Sequence, residues 1–421
     1  MTNHTKTAFA VLAVAGFTLF ILTTFVPYPP AKAAALDAGF SESDIATGLD
    51  YLLERRFFFW GRTLIDLGLL CALALTPVGR HWGDRFLAWT GQRRIPAALL
   101  FGFVYLLLSE IVYLPFGIGR LYHARAWGMS NLDLADWLRE HGLRLGINLV
   151  WEAIILTGFY ALLIVFPRIW WLLAPVGASG LAVAYAFLSP ILISPLFNDF
   201  TPLEQTEWRD LQPRVQALID KADIPVREIL VMNASRQSNH TNAYFTGFGS
   251  TRRIVLYDTL LKKHTAEEIE SVLGHEIGHW QHDHINKGIL LGALGMLAGC
   301  FILDRFLRAA WRAPWHLQGP ADPAGFPLVV LLVVLGGWLS MPLGNVVSRY
   351  FERQADQASL HLADQPDAFA AGEKKMARDN KSNVAPAPWN VWLFSSHPTT
   401  VQRIRMASEW KETSAADKKR Q

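Results

Sequence analysis

Long apolar segments separated by polar connections dominate the chain. Seven of them, at about 8–28, 58–79, 96–117, 146–167, 169–194, 288–308 and 326–347, have the ~20 residues that a helix needs to cross roughly 30 Å of hydrocarbon. Residues 101–108 and 328–335 are apolar on every helical face, which lipid requires and water does not tolerate. The pattern predicts seven transmembrane helices. The first also reads as a secretory signal, because Lys6 precedes its apolar core and the small residues 31–35 follow it. Asp66, Glu110, Asn148, Glu152 and Asn345 interrupt the spans. Such groups face either an internal cavity or hydrogen-bond partners on other helices, so the spans form a bundle with a polar interior or one tied by interhelical hydrogen bonds.

Two polar regions remain, 198–287 and 348–421. The spans at 288–308 and 326–347 form a hairpin, which puts both regions on one membrane face. The chain therefore divides into a five-helix membrane region (1–197), a polar catalytic region (198–287), a membrane hairpin (288–347) and a second catalytic region (348–421) with a basic end at Lys418, Lys419 and Arg420. Arg80, Arg85, Arg93 and Arg94 lie in loops on one side, and Arg120, Arg125, Arg139 and Arg144 on the other. Lys32, Arg55 and Arg56 tip the balance, so the catalytic face is expected in the cytoplasm. Residues 228–233, 242–247 and 253–257 read as short strands, with a turn at Gly247, Gly249 and Ser250. Thr265 and Glu268 form a capping-box pair that opens a helix reaching about His284. Further helices are expected around 347–363 and 399–410. The fold class is thus mainly α, a membrane bundle with a small β-sheet in its polar part.

Composition narrows the function. The 421 residues are 51% hydrophobic and only 18% charged, against roughly 25% charged in soluble proteins. A formal charge of +3 supplies no basic surface of the kind nucleic acid needs. Cys71 and Cys300 both sit in apolar runs, so neither a disulfide framework nor a cysteine metal site is expected.

The chemistry concentrates in His275-Glu276-Ile277-Gly278-His279. On a helix, residues four apart share a face, so both imidazoles can reach one Zn²⁺ while Glu276 reaches a water on it. A third His six residues after the second is excluded, because Ile285 stands there. His282 lies about 10 Å from His275 along the axis, too far to share the ion, and His282 and His284 read as solvent or headgroup residues. The helix leaving the last span carries Glu352 and Asp356 four residues apart, and the hairpin returns it to the face of His275. Glu352 is thus the candidate third ligand. Asp356 is placed to hold a ligand histidine's tautomer or to take part in proton transfer. The alternative is a helix face on which Glu352 and Asp356 simply pair with Arg349 and Arg353. Three protein ligands leave one open position, the mark of a catalytic zinc. Glu276 is the candidate base, and His397, in a polar loop on the same face, a candidate oxyanion donor.

With these residues in view the sequence resembles the type I CaaX prenyl endopeptidases, membrane zinc proteases of seven helices. The matching strings are residues 195–202, 242–245, 253–261, the HEIGH helix, 348–356, and Ser396-His397-Pro398 with Arg403. The resemblance implies a gluzincin-like domain beside a bundle that encloses a chamber, and one zinc held by His275, His279 and Glu352. It also implies Glu276 as base, Asp356 and His397 as its assistants, and Asn242, Ala243 and Arg403 on the substrate side. Asn242 and Ala243 look like the edge-strand element by which related proteases hold a peptide. The expected partners are the bilayer and a peptide or protein substrate, prenylated if the likeness extends that far, and the expected product is a released C-terminal tripeptide. Alternatives are a general quality-control protease of membrane proteins, and a non-catalytic zinc-binding protein or transporter. Glu276 argues against the last, since a transporter has no use for a base beside its ligands. A site-2-type protease carries this motif inside an apolar span, whereas here Glu267, Glu268, Glu270, Gln281, His282 and Asp283 flank it.

Overall fold

The structure is a computed structural model that describes residues 28–247, 252–310 and 315–418, with isolated positions at 16, 18 and 26. The first expected span, with its possible signal, falls almost wholly outside the described residues. So do the turn expected after Gly247 and the end of the basic tail. In chain order the helices before the sheet are α1 (Pro29–Asp37), α2 (Glu42–Leu75), α3 (Pro77–Trp89), α4 (Arg94–Ala126), α5 (Leu134–Val165) and α6 (Trp170–Leu188). Then come β1 (Phe200–Pro202), α7 (Gln212–Ala222), β2 (Glu228–Met232), β3 (Ala243–Thr246), β4 (Arg253–Tyr257), α8 (Asp258–Lys263) and α9 (Ala266–Gln281). The remainder is α10 (His284–Ala309), α11 (Phe326–Ala363), α12 (Pro366–Asp379), α13 (Pro388–Phe394) and α14 (Thr400–Lys418).

Six helices among the described residues are long and apolar enough to cross a membrane: α2, α4, α5, α6 with its continuation to Leu196, α10 and α11. They are longer than their apolar cores because polar ends remain helical beyond the hydrocarbon. Side-chain caps start two of them: Ser41 and Asp44 form a reciprocal capping box on α2, and Asp133 accepts from the Asp136 N–H at 2.7 Å on α5. Contacts identify which ends lie together. At one end Asp44 meets Arg378, Trp127 donates to Glu54, and Asn131 donates to the Ser235 carbonyl. At the other, Arg80 pairs with Asp322, Arg308 donates to the Pro167 carbonyl, and Trp315 donates to the Ala74 carbonyl. Within the bundle Ser109 donates to Asp66 at 2.7 Å and His141 lies 2.8 Å from Glu110. These intramembrane polar groups are partnered across helices.

The sheet has the order β1-β2-β4-β3, with β2 and β4 parallel and both outer pairs antiparallel. Its three longer strands fall within a residue of the expected ones. β1 is unpredicted, since three residues ending in proline carry no alternation to read and proline is tolerated only at such an edge. The core of this region joins Ile229, Val231, Ile254 and Leu256 to Ile269, Leu273 and Ile277 of α9.

Candidate metal centre

Helix α9 serves two neighbours at once. Thr265 caps it with Glu268 in the predicted reciprocal box, and Ile269, Leu273 and Ile277, four residues apart, are buried against the sheet. A second stripe, Gly274 and Gly278, lies on α11. A Cβ on Gly278 would stand 2.7 Å from Ala358 Cβ and 2.8 Å from Ala355 Cα, and one on Gly274 3.0 Å from Ser359 Cα. The Ser359 hydroxyl locks the crossing by donating to the Ser271 carbonyl at 2.6 Å. This close approach, which larger residues would forbid, carries Glu352 to the two histidines.

The three donors form a compact triangle. His275 Nε2 and His279 Nε2 are 3.1 Å apart, and Glu352 approaches the first with Oε2 at 3.2 Å and the second with Oε1 at 3.5 Å. Ligands at about 2.0–2.2 Å from a tetrahedral zinc stand about 3.3–3.6 Å from one another, and one ligand atom from each of these three residues lies within 4.8 Å of the others, close enough to converge on one ion. Glu352 Oε2 is buried without a hydrogen-bond partner among the described residues, as suits an oxygen kept for a cation.

Surrounding groups set the tautomers. His275 Nδ1 lies 2.8 Å from Asp356 Oδ1, to which its N–H donates, so Nε2 is the nitrogen turned toward His279 and Glu352. His279 Nδ1 lies 2.9 Å from His284 Nδ1, and His284 Nε2 lies 3.1 Å from Gln354 Oε1. The amide oxygen only accepts, so His284 donates from Nε2 and accepts at Nδ1, and His279 donates from Nδ1. His284 is therefore no solvent or headgroup residue: it is buried and its ring stacks on Phe351 at 4.2 Å. Burial disfavours charge on His275, but the hydrogen bond to Asp356 and the adjacent Glu352 carboxylate outweigh it and raise its pKa to about 10. Burial and the charge of His275 push His279 down to about 4. Burial likewise lifts the Glu276 carboxyl above its ordinary value, against the pull of His275 and the Phe245 N–H.

Arg403, expected on the substrate side, directs its Nε to both Asp356 oxygens at 3.1 and 3.0 Å and its Nη1 to Glu373 at 2.6 Å. Its guanidinium thus braces the carboxylate that holds His275. Among the described residues Arg349 and Arg353 form no ion pair with Glu352 or Asp356; Arg349 donates instead to the Val391 and Ser395 carbonyls. His397 Nε2 stands 3.3 Å from Glu352 Oε2. A cavity of about 370 Å³ opens beside the triangle, lined by Asn242, His275, Glu276, Phe369, Met376 and His397 among others.

Strand β3 is the outer strand on this side. The Asn242 carbonyl accepts from the Tyr257 N–H at 3.1 Å, so by antiparallel alternation Ala243 and Phe245 turn their N–H and C=O groups away from β4. The Phe245 N–H indeed meets Glu276 Oε2 at 3.3 Å. The exposed Asn242 side chain begins this edge.

Comparison with known proteins agrees with the geometry. The model of peptidase family M48 matches residues 205–411, and that of the CAAX prenyl protease N-terminal region, five membrane helices, matches residues 23–199. The chain is 30% identical over 375 residues to the uncharacterized metalloprotease YhfN of Bacillus subtilis, covering 87% of this chain and 86% of that one. It is 34% identical over 322 residues to CAAX prenyl protease 1 of Saccharomyces cerevisiae, covering 70% and 69%. In fold it is similar to the crystal structure of S. mikatae Ste24p, with a TM-score of 0.82 at 23% identity over 96% of this chain and 99% of that one.

Proposed function

The chain belongs to peptidase family M48 as a multi-pass membrane metalloendopeptidase with a CAAX prenyl protease N-terminal region, and on that premise we propose that it is a zinc protease cutting near the C terminus of a prenylated, membrane-held polypeptide. One observation carries the zinc reading: the convergence of His275, His279 and Glu352, with one ligand atom from each within 4.8 Å of the others, beside a carboxylate, Glu276, on the cavity wall. A zinc ion there would supply Lewis acidity for the scissile carbonyl and acidify a water. Glu276, its pKa raised by burial, is the base that would take a proton from such a water and return it to the leaving amine. Asp356 fixes the His275 tautomer and Arg403 steadies Asp356. His397, on the same cavity, donates to the developing oxyanion. Ala243 and Phe245 offer main-chain groups to an extended peptide, with Asn242 adding a side-chain hydrogen bond. The substrate class is that named for the yeast relative, and removal of the C-terminal tripeptide on the cytoplasmic side completes the proposal.

Glu276→Gln is expected to lower turnover at least ~10²-fold while keeping zinc, whereas Glu352→Ala loses the metal. Metal analysis and cleavage of a prenylated CaaX peptide beside its unmodified twin test both parts. Full zinc in Glu352→Ala would remove the ligand assignment, and equal cleavage of the two peptides would remove the prenyl preference.

A further inference from the structure

Helix α11 carries two polar side chains that take no part in the metal set, and both reach the end of α13. Asn345 Nδ2 donates to the Leu393 carbonyl at 2.6 Å, and Arg349 Nη1 donates to the carbonyls of Val391 at 2.9 Å and Ser395 at 2.6 Å. From the opposite side Arg56 of α2 donates to the Asn390 side chain at 2.8 Å. Helix α13 has only 7 residues, and the last carbonyls of any helix lack donors within it. Here the Ser395 N–H reaches the Val391 carbonyl at 3.2 Å, and the membrane helices supply further donors.

The consequence lies two residues further on. Ser395 turns extended, at φ −97° and ψ 116°, and the chain then reaches His397, whose Nε2 is 3.3 Å from Glu352. The His397 side chain is 58% exposed, and apart from its approach to Glu352 its hydrogen bond among the described residues is local, to the Ser396 hydroxyl at 2.8 Å. Side-chain packing therefore does little to place this ring; its position is inherited from the backbone at Ser395. Arg349 precedes Glu352 by three residues on the same helix, so one turn of α11 holds both the root of the His397 loop and the carboxylate beneath the ring.

We propose that Arg349, assisted by Asn345, is a positioning residue that fixes His397 over the metal centre. The inference rests on the proposed role of His397 in turnover. It is tested in the full-length, zinc-loaded protein by a cycle of Arg349→Gln, His397→Ala and the double variant, with Arg349→Lys alongside. Arg349→Gln should lower kcat about 10-fold with KM and zinc content unchanged, add nothing to His397→Ala, and be partly rescued by Lys, which still donates to carbonyls. If Arg349→Gln does not accumulate, Asn345→Ala, which removes one of the three bonds, goes through the same cycle. Losses that add in the double variant, or that appear in KM or zinc content, would overturn the proposal. Unimpaired Arg349→Gln beside impaired His397→Ala would overturn it alone, whereas unimpaired His397→Ala would remove the reading of His397 and this inference with it.

Discussion

His275 is held between opposing pressures. Burial disfavours its charge, yet Asp356 at 2.8 Å and Glu352 at 3.2 Å favour it, and the balance is a pKa near 10 without the ion. An ion bound at Nε2 must displace that proton. The sign follows directly: below about 10 the metal-free site holds the proton, so zinc affinity should rise with pH by about tenfold per unit across the neutral range. His279, held down to about 4, is already neutral there and contributes nothing. Competition with a chelator at several pH values measures the slope, and a flat profile would show that His275 is not charged before zinc binds. The convergence of His275, His279 and Glu352 is legible in the sequence, because they obey helical spacing and the return of a membrane hairpin. That of His284 is not. Asp283 at φ +55° breaks the helix between α9 and α10, so a residue five positions past His279 faces it, which no helical period predicts. Arg403 was readable as a motif residue but not in its partners, since Glu373 belongs to no motif.

Between α9 and α11 the sequence also holds information that becomes visible only as packing. Gly278 inside the histidine motif and Ala355 between Glu352 and Asp356 look unspecific, but a 2.8 Å approach from a Cβ at the first to the Cα of the second makes both small residues a condition of assembling the site. The edge strand is the element on which substrate handling turns. Ala243 and Phe245 turn main-chain groups away from β4 on the side of Glu276, which accepts from the Phe245 N–H, and strand pairing at such an edge tolerates varied side chains. Asn242, exposed on the cavity wall, should add a directional bond to the peptide. Asn242→Ala is then expected to lower turnover about 10-fold, on the order of 1.4 kcal/mol, with zinc content and thermal stability unchanged. Wild-type kinetics, or a loss that tracks unfolding, would leave the strand structural. The alternation of β2, β3 and β4 was legible, whereas β1 was too short and proline-bound to show.

At the scale of the whole molecule, six described spans alternate in direction and their ends sort into two sets. One set carries Asp44, Trp127 and Asn131 and touches the catalytic region; the other carries Arg80, Pro167 and Trp315. Hydropathy located these spans but underestimated their length. Helix α2 has 34 residues, about 50 Å, because its polar first turns continue as a helix above the hydrocarbon and dock on α12. Charge orients the molecule less sharply than position does. Lys32, Arg55, Arg56, Arg120, Arg125, Arg139 and Arg144 favour a cytoplasmic catalytic end, but Arg168, Arg305 and Arg308 stand with Arg80 at the other. There Arg80 is bound to Asp322, and Arg305 and Arg308 to Asp304. The prediction with most content is therefore relative: reporters fused after residue 91 and after Gln421 should fall on opposite faces, and one inserted at Gly128 should agree with Gln421. The Gln421 reporter should read cytoplasm. Agreement between the first two would break the alternation and with it the return of Glu352 to His275, whereas an external signal at Gln421 with the alternation intact would reverse the orientation and leave the metal centre as described.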